Sequence, residues 1–381
     1  MILPLEQLQT HYFSGNIPGI LITTVSPIVI TIKLTRLGQK DVVLIEKYHP
    51  TNEQGVYLNI RELIHDELEL VYSDTMFGLV DCVVQPKAYG EVTITPEGIT
   101  PKSFYVIKGN LDIEQPDYNF IWFFRRNMLS ISPQIRHVEG NEPVFLGFFS
   151  EDHFFVWVHA YKADGSGLSL NRYHTETTTN QLFSLKGDFD YVAQKLFPSD
   201  TGITQLSFQI WSRNASAPSL PLYLVKKDKY EEFSDFFLFG NSIGALETIH
   251  LTGQKKEELR HEHLRAKIHT IEEGTHEHEY QTIPLTVFEK NTGWIHSEAQ
   301  RRYILDFFAS NMRFHYNNNR FRRIYVLGYE GKTTPGQINS ITFTFAYSRQ
   351  YTGHIPSRPS LAAVLLPEFW SGPALLDPIV E

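Results

Sequence analysis

Three groups of residues have the types and spacing to do chemistry. Gly240-Asn241-Ser242-Ile243-Gly244 fits Gly-x-Ser-x-Gly, the sharp turn that presents a nucleophilic serine in α/β-hydrolases. The apolar run from Phe236 to Phe239 precedes it, as a feeding strand would. That elbow also requires a helix after the serine, a parallel sheet of alternating strands and helices, and an acid and a histidine later in the chain. Residues 245–253 read instead as a strand, and two β-rich blocks without βαβ rhythm lie before Ser242. Gly-Asn-Ser is ordinary turn chemistry. No catalytic role is assigned to Ser242, and the chain is read as non-enzymatic.

The histidines form the second group, 16 in all. His261-Glu262-His263 and His276-Glu277-His278 place imidazoles two residues apart, on one face of a strand. A hairpin turn centred on Glu273-Gly274 sets His269 opposite His278 and His276 opposite Ile271. The two triplets then miss one another. His269, His276 and His278 remain as a three-histidine patch of a kind that takes zinc or nickel. A solvated hairpin whose imidazoles share a face is the simpler account and the one preferred. No metal or cofactor is expected.

Third, Arg320, Arg322 and Arg323, with Arg301 and Arg302, make a basic region in a chain of net charge −9. An acidic partner surface would complement it. Positive charge protecting an edge strand explains it equally well. No phosphate-cradling glycine loop and no His-Glu-x-x-His is found.

Composition restricts what can hold these groups. Hydrophobic residues make up 42% of the 381 and aromatics 13%, enough for a large core and weighted towards strands. The acidic balance argues against nucleic acid as a partner. The single Cys82 excludes an intrachain disulfide and a cysteine-rich zinc site. No signal peptide is read at the start, and no apolar run reaches the roughly 20 residues of a membrane helix. Folding in a reducing cytoplasm is expected, without membrane insertion.

Alternating apolar residues separated by turn signals about every 8–12 residues predict an all-β protein of tandem sandwich-like or barrel-like domains. The expected divisions are 1–102, 103–232 and 233–352, followed by a proline-rich arm over 353–381. Within the second block, residues 119–126 read as a strand and 188–197 as a short helix. The third block carries one clear helix over 297–309, with Ser297 and Gln300 at capping-box spacing and Tyr303, Ile304, Phe307 and Phe308 on one face. In the arm, prolines forbid a helix, yet Leu365, Leu366, Phe369 and Trp370 are too apolar for a solvated tail. With Arg320, Arg322 and Arg323 they are the candidate partner-binding residues.

An ordered series of residues in the third block resembles a module of tail-associated structural proteins of tailed bacteriophages and prophages, especially those of Bacteroidetes hosts. The series runs Phe239-Gly240-Asn241, Ile243-Gly244, Glu247-Thr248, Asn291-Thr292-Gly293-Trp294, the helix ending Phe307 to Ser310, and the closing strands 324–330 and 341–348. A fainter echo covers Tyr105 to Gly109 and Leu129 to Phe149, anchored by Pro133 and Glu142-Pro143. The His-rich hairpin and the proline-rich arm depart from the pattern. The resemblance implies a building block of a tail tip, baseplate, fibre attachment or contractile injection machine. Its partners would be copies of itself in a ring and other tail proteins, in a mature particle, and it implies no active site. A carbohydrate-binding or host-surface module is the alternative. Trp122, Trp157, Trp211 and Trp294 are its stacking candidates, each in a strand-like context where burial is expected.

Overall fold

In strand Ile28–Thr35, Ile28, Ile30, Ile32 and Leu34 are buried while the residues between them are more exposed, as the alternating sequence requires. This strand lies inside a five-stranded sheet, between Tyr89–Pro96 and the edge strand Val42–Tyr48, in the structure, a computed structural model. The structure describes residues 2–51, 55–73, 80–112, 118–168, 170–176, 180–213, 217–228, 231–270, 274–331 and 339–348, with the side chains of 261–285 outside that description.

The chain is an all-β protein. Its front sheet runs in the order His11–Phe13, Lys102–Ile107, Tyr89–Pro96, Ile28–Thr35, Val42–Tyr48, beside a small sheet of Ile2–Pro4, Gly19–Ile22 and Val56–Leu58. Strand Lys102–Ile107 pairs with both Tyr89–Pro96 and His11–Phe13, so the division read at 102/103 falls within a strand of the front sheet.

The second block is a sandwich. One sheet is Ile135–Val138, Leu222–Lys226, Ile203–Ser212, Phe154–Lys162 and Asn171–Glu176; the other is Phe145–Ser150, Gln181–Lys186 and Cys82–Val84. The last of these strands comes from the first block. The two front blocks therefore interlock, and their cores adjoin through Val84 and the aromatic pair Phe145 and Phe149.

The third block is a seven-stranded sheet ordered Leu246–Leu251, Asp235–Gly240, Arg313–Asn317, Arg320–Glu330, Thr342–Tyr347, Gly274–Asn291, Lys255–Thr270. Strand Arg320–Glu330 pairs over residues 320–323 with Arg313–Asn317 and over residues 324–330 with Thr342–Tyr347, so among the described residues Arg320 and Arg322 are paired in register on one side only, as the edge-strand explanation of the arginines allows. The turn before it uses Asn318 and Asn319 at positive φ, the conformation a two-residue hairpin loop demands.

Among the described residues four α-helices decorate the sheets: α1 Arg61–Glu67, α2 Phe120–Arg126, α3 Phe189–Leu196 and α4 Glu298–Ala309. Helix α3 forms where its spacing predicts. Helix α2 replaces the strand expected there. The Asn119 side chain caps it by accepting from Trp122 N at 3.0 Å, and Phe120 and Phe124 bury one helical turn apart among Tyr12, Phe13 and Phe149. Tertiary packing of an i, i+4 pair outweighs the β preference of its aromatics. In α4, Ser297 Oγ accepts from Gln300 N at 3.1 Å, while Gln300 Oε1 reaches back to His296 N at 2.9 Å, one residue beyond the usual capping box. Its four apolar face residues all bury against Phe237, Phe239 and Phe343. Among the described residues no helix is long and apolar enough to cross a membrane.

Candidate functional site

Ser242 sits at an exposed hairpin tip, not at a strand-to-helix elbow. The antiparallel strands Asp235–Gly240 and Leu246–Leu251 meet there. Asn241 closes the turn: its N–H donates to Ala245 O and its Oδ1 accepts from Ala245 N, both at 2.8 Å. The turn is clamped from outside by Asp306, whose carboxylate accepts from Ser242 N at 2.8 Å, and by Asn110 N, which donates to Ser242 O at 2.7 Å. Gly244 has φ +81°, and a Cβ there would stand 1.5 Å from Lys108 O. Glycine is thus required both for the left-handed conformation and for contact with the first block.

The same turn opens a buried polar joint between the second and third blocks. Asn241 Nδ2 donates to Leu129 O and to Glu247 Oε2, each at 2.9 Å. The buried Glu247 carboxylate also accepts from Ser130 Oγ, Ile131 N and Ser132 N. Next along the strand, Thr248 Oγ1 accepts from the Arg136 guanidinium at 3.0 Å and Thr248 O from the Tyr303 hydroxyl. Arg136 pairs with Glu142, which further accepts from Glu139 N at 3.2 Å. Burial raises the Glu142 carboxyl and Arg136 draws it back down. Burial and the nearby Glu247 charge push the Tyr303 hydroxyl well above its ordinary range, so it serves as a donor. Every polar partner here is matched, which a buried network needs in order to stabilise.

His250 extends the joint outward. Lys227 Nζ lies 3.2 Å from its Nδ1, and its Nε2 lies 2.7 Å from Ser234 Oγ, which donates to Glu139. Glu139 and Glu142 stand 3.5 and 3.8 Å from the ring, an arrangement that would favour an imidazolium. The ammonium at Nδ1 requires an unprotonated nitrogen there, and Glu142 is committed to Arg136. Burial, reinforced by the Lys227 and Arg136 charges, pushes His250 down to about 3. The ring is neutral, with its proton on Nε2.

A second network lies across the seven-stranded sheet. Asp235 accepts from Lys255 at 2.6 Å, from Lys290 at 2.7 Å and from His315 Nε2 at 2.9 Å. His315 Nδ1 faces the Tyr347 hydroxyl at 2.7 Å. Burial opposes ionisation of Asp235, but His315 and the two lysines outweigh it and hold the carboxyl well below its usual range. Lys290 is wholly buried and also donates to Phe233 O and Gly253 O. Tyr-His-Asp is a relay geometry in some active sites, but here each member is used in tying strands together.

The remaining sequence candidates disperse. The histidine hairpin adopts a register in which His269 pairs with Thr275, His276 with Ile268 and His278 with Ala266. This register is displaced from the expected one, so the pairing of His269 with His278 is not formed; the side chains themselves lie outside the description. Arg320, Arg322 and Arg323 are exposed, with the Arg322 guanidinium 5.7 Å above the Tyr347 ring. Leu365, Leu366, Phe369 and Trp370 lie outside the described residues. Trp122, Trp211 and Trp294 are 55%, 41% and 62% exposed, against the expectation of burial, and Trp157 is half-buried.

Sequence reading missed Arg136, Asp235, Lys290 and His315. Lys290 carried one signal: it follows Phe288 by two residues, in line with a core position. Asp235 and His315 are 80 residues apart and carried none. No protein-family model matches the chain, and no curated protein matches it.

Proposed function

We propose that the protein is a non-enzymatic structural subunit of a phage tail or tail-like assembly, at the tail tip, baseplate or fibre attachment. One observation carries this reading. The residues of the ordered series, Asn241, Glu247 and Thr248, converge with residues 129–136 of the Leu129 to Phe149 segment on a single buried joint. They are spent on fixing one block against the next, which is the work a spacer subunit needs. Exposed Arg320, Arg322 and Arg323 then offer a basic face to acidic neighbours, and the apolar arm offers a segment to dock on an adjacent chain.

Light scattering on the full-length protein, with negative-stain images of the same peak, tests this. A discrete ring of threefold, sixfold or twelvefold mass is expected, alone or with co-expressed tail proteins. Truncation after residue 352 is expected to leave a folded monomer that assembles poorly. A protein that stays monomeric under both conditions overturns the reading.

A further inference from the structure

A cleft of about 520 Å³ opens beside the joint, between residues 132–137 of the second block and residues 249–252 and 292–304 of the third. We propose that this cleft binds a neutral saccharide, with the Trp294 indole as its stacking platform.

The backbone around Trp294 is built to present it. Thr292 and Ile295 are only 4% and 7% exposed, while Trp294 is 62% exposed on the cleft wall. The Asn291 side chain accepts from Gly293 N at 2.8 Å and donates to Ser340 and Thr342 hydroxyls. Thr292 Oγ1 accepts from Ile341 N at 3.0 Å, and Ile295 N donates to Asn339 O at 2.8 Å. Gly293 has φ +79°, and a Cβ there would meet Thr252 Oγ1 at 2.3 Å. The indole is thus carried on a fixed turn, so little backbone entropy is lost when a ligand stacks on it.

The lining selects the ligand class. Ile135, exposed like Trp294, adds apolar surface from the second block. Both cations of the lining are already engaged: Arg136 with Glu142 and Thr248, and Lys227 with Glu231 at 2.8 Å and with His250. The His250 ring is neutral. A phosphate or sulfate would find no unengaged cationic partner among Arg136 and Lys227. Ser132, Thr252 and Ser297 supply hydroxyl groups, that of Ser132 shared with Ser130 Oγ; Ser297 Oγ accepts from Gln300 N and keeps its own proton to donate, while the Gln300 amide is engaged with His296 N and Trp294 O and braces the wall. A pyranose ring has an apolar C–H face and a rim of hydroxyls, matching an exposed indole bordered by neutral donors and acceptors. The volume falls in the range of roughly 300–1,000 Å³ typical of small-ligand sites.

The inference does not rest on the structural-subunit reading. A sugar-binding monomer would overturn that reading and leave this one standing. Full-length protein is applied to an array of neutral and anionic mono- to hexasaccharides, and the strongest responder is titrated by calorimetry. Neutral saccharides are expected to bind. Trp294→Ala is expected to weaken binding at least about tenfold, and Trp294→Phe less. Trp122→Ala and Trp211→Ala, the other exposed indoles, are expected to leave it unchanged. Thermal melts of each variant establish that the fold is intact, and Ile135→Ser gives an independent lesion of the same cleft. Absence of saccharide binding, binding confined to anionic glycans, or binding that survives both Trp294→Ala and Ile135→Ser overturns the proposal. A Trp294→Ala variant that loses oligomeric mass while the array stays blank also overturns it and makes the indole a subunit contact.

Discussion

The Arg136 guanidinium and the Glu142 carboxylate face one another six residues apart in the second block, both buried, and the Thr248 hydroxyl of the third block completes their coordination. The pair is buried on the block boundary itself, so its loss is felt by two blocks at once. Removing one partner of such a pair costs about 3–5 kcal/mol, because the other charge is left in the interior. Arg136→Met is therefore expected to destabilise by that amount in urea unfolding. The double variant Arg136→Met, Glu142→Leu is expected to recover at least half of the loss. A single variant within about 0.5 kcal/mol of wild type would show that the pair does not carry the joint.

The neutral His250 makes the protein acid-sensitive above the carboxylate range. Its folded pKa lies below its unfolded value, so between about 3 and 6.5 the unfolded chain binds the extra proton and stability falls as pH falls. His11 behaves alike, pushed down to about 4 by burial and by Arg125. Each contributes a loss of about 2 kcal/mol between roughly pH 7.5 and pH 5. Asp235, held low, contributes in the same direction, but only once pH falls below the ordinary aspartate range of about 3.9. Unfolding free energies measured across this range are expected to slope accordingly. His250→Gln is expected to flatten the slope by one proton's worth, and an unchanged slope would place the charge elsewhere.

The parts of the fold legible in the sequence are those whose signal is periodic. Ile28 to Leu34 alternate because one face is buried, and Tyr303, Ile304, Phe307 and Phe308 recur because one helical stripe is. Helix α2 escaped because aromatics at 120–124 satisfy both periods over so short a run, and the deciding partners, Tyr12, Phe13 and Phe149, are remote. The exchange of Cys82–Val84 into the second sandwich is a long-range pairing that leaves no local mark. At the joint, Asn241 and Glu247 were legible as members of an ordered series, but the contact of Arg136 with Thr248 spans 112 residues and was not. Trp294 was legible as a candidate, and its exposure depends on a turn held by residues on a different strand.

Gly244 separates conformational strain from steric exclusion. Gly38 has φ +66° and open space around it, so Gly38→Ala is expected to cost only the ~1–2 kcal/mol of a left-handed residue. Gly244→Ala adds a Cβ that collides with Lys108 O, and it is expected to cost clearly more and to part the third block from the first. Urea midpoints compare the two, and limited proteolysis near Lys108 reports the parting. Equal costs would mean that the hairpin tip can lift off residues 108–110 freely.

Asn241 and Ser242 are neighbours in the Gly-x-Ser-x-Gly sequence, yet their side chains do opposite work. The Asn241 amide is buried and makes three hydrogen bonds, to Leu129 O, Glu247 and Ala245 N. Asn241→Ala strips partners from a buried carboxylate and two backbone groups, each an unsatisfied group worth about 1–3 kcal/mol. Destabilisation of several kcal/mol is expected. Ser242 is exposed; its backbone is held by Asp306 and Asn110, and its hydroxyl adds a solvent-facing contact to the same Asp306 carboxylate. Ser242→Ala is expected to change stability by less than about 0.5 kcal/mol and to leave turnover of a broad ester panel at the level of the wild-type protein. Ester hydrolysis that disappears with the Ser242 hydroxyl would restore the nucleophile and require its base to be found; a large loss of stability on the same substitution would show that the hydroxyl, and not only the backbone, braces the turn.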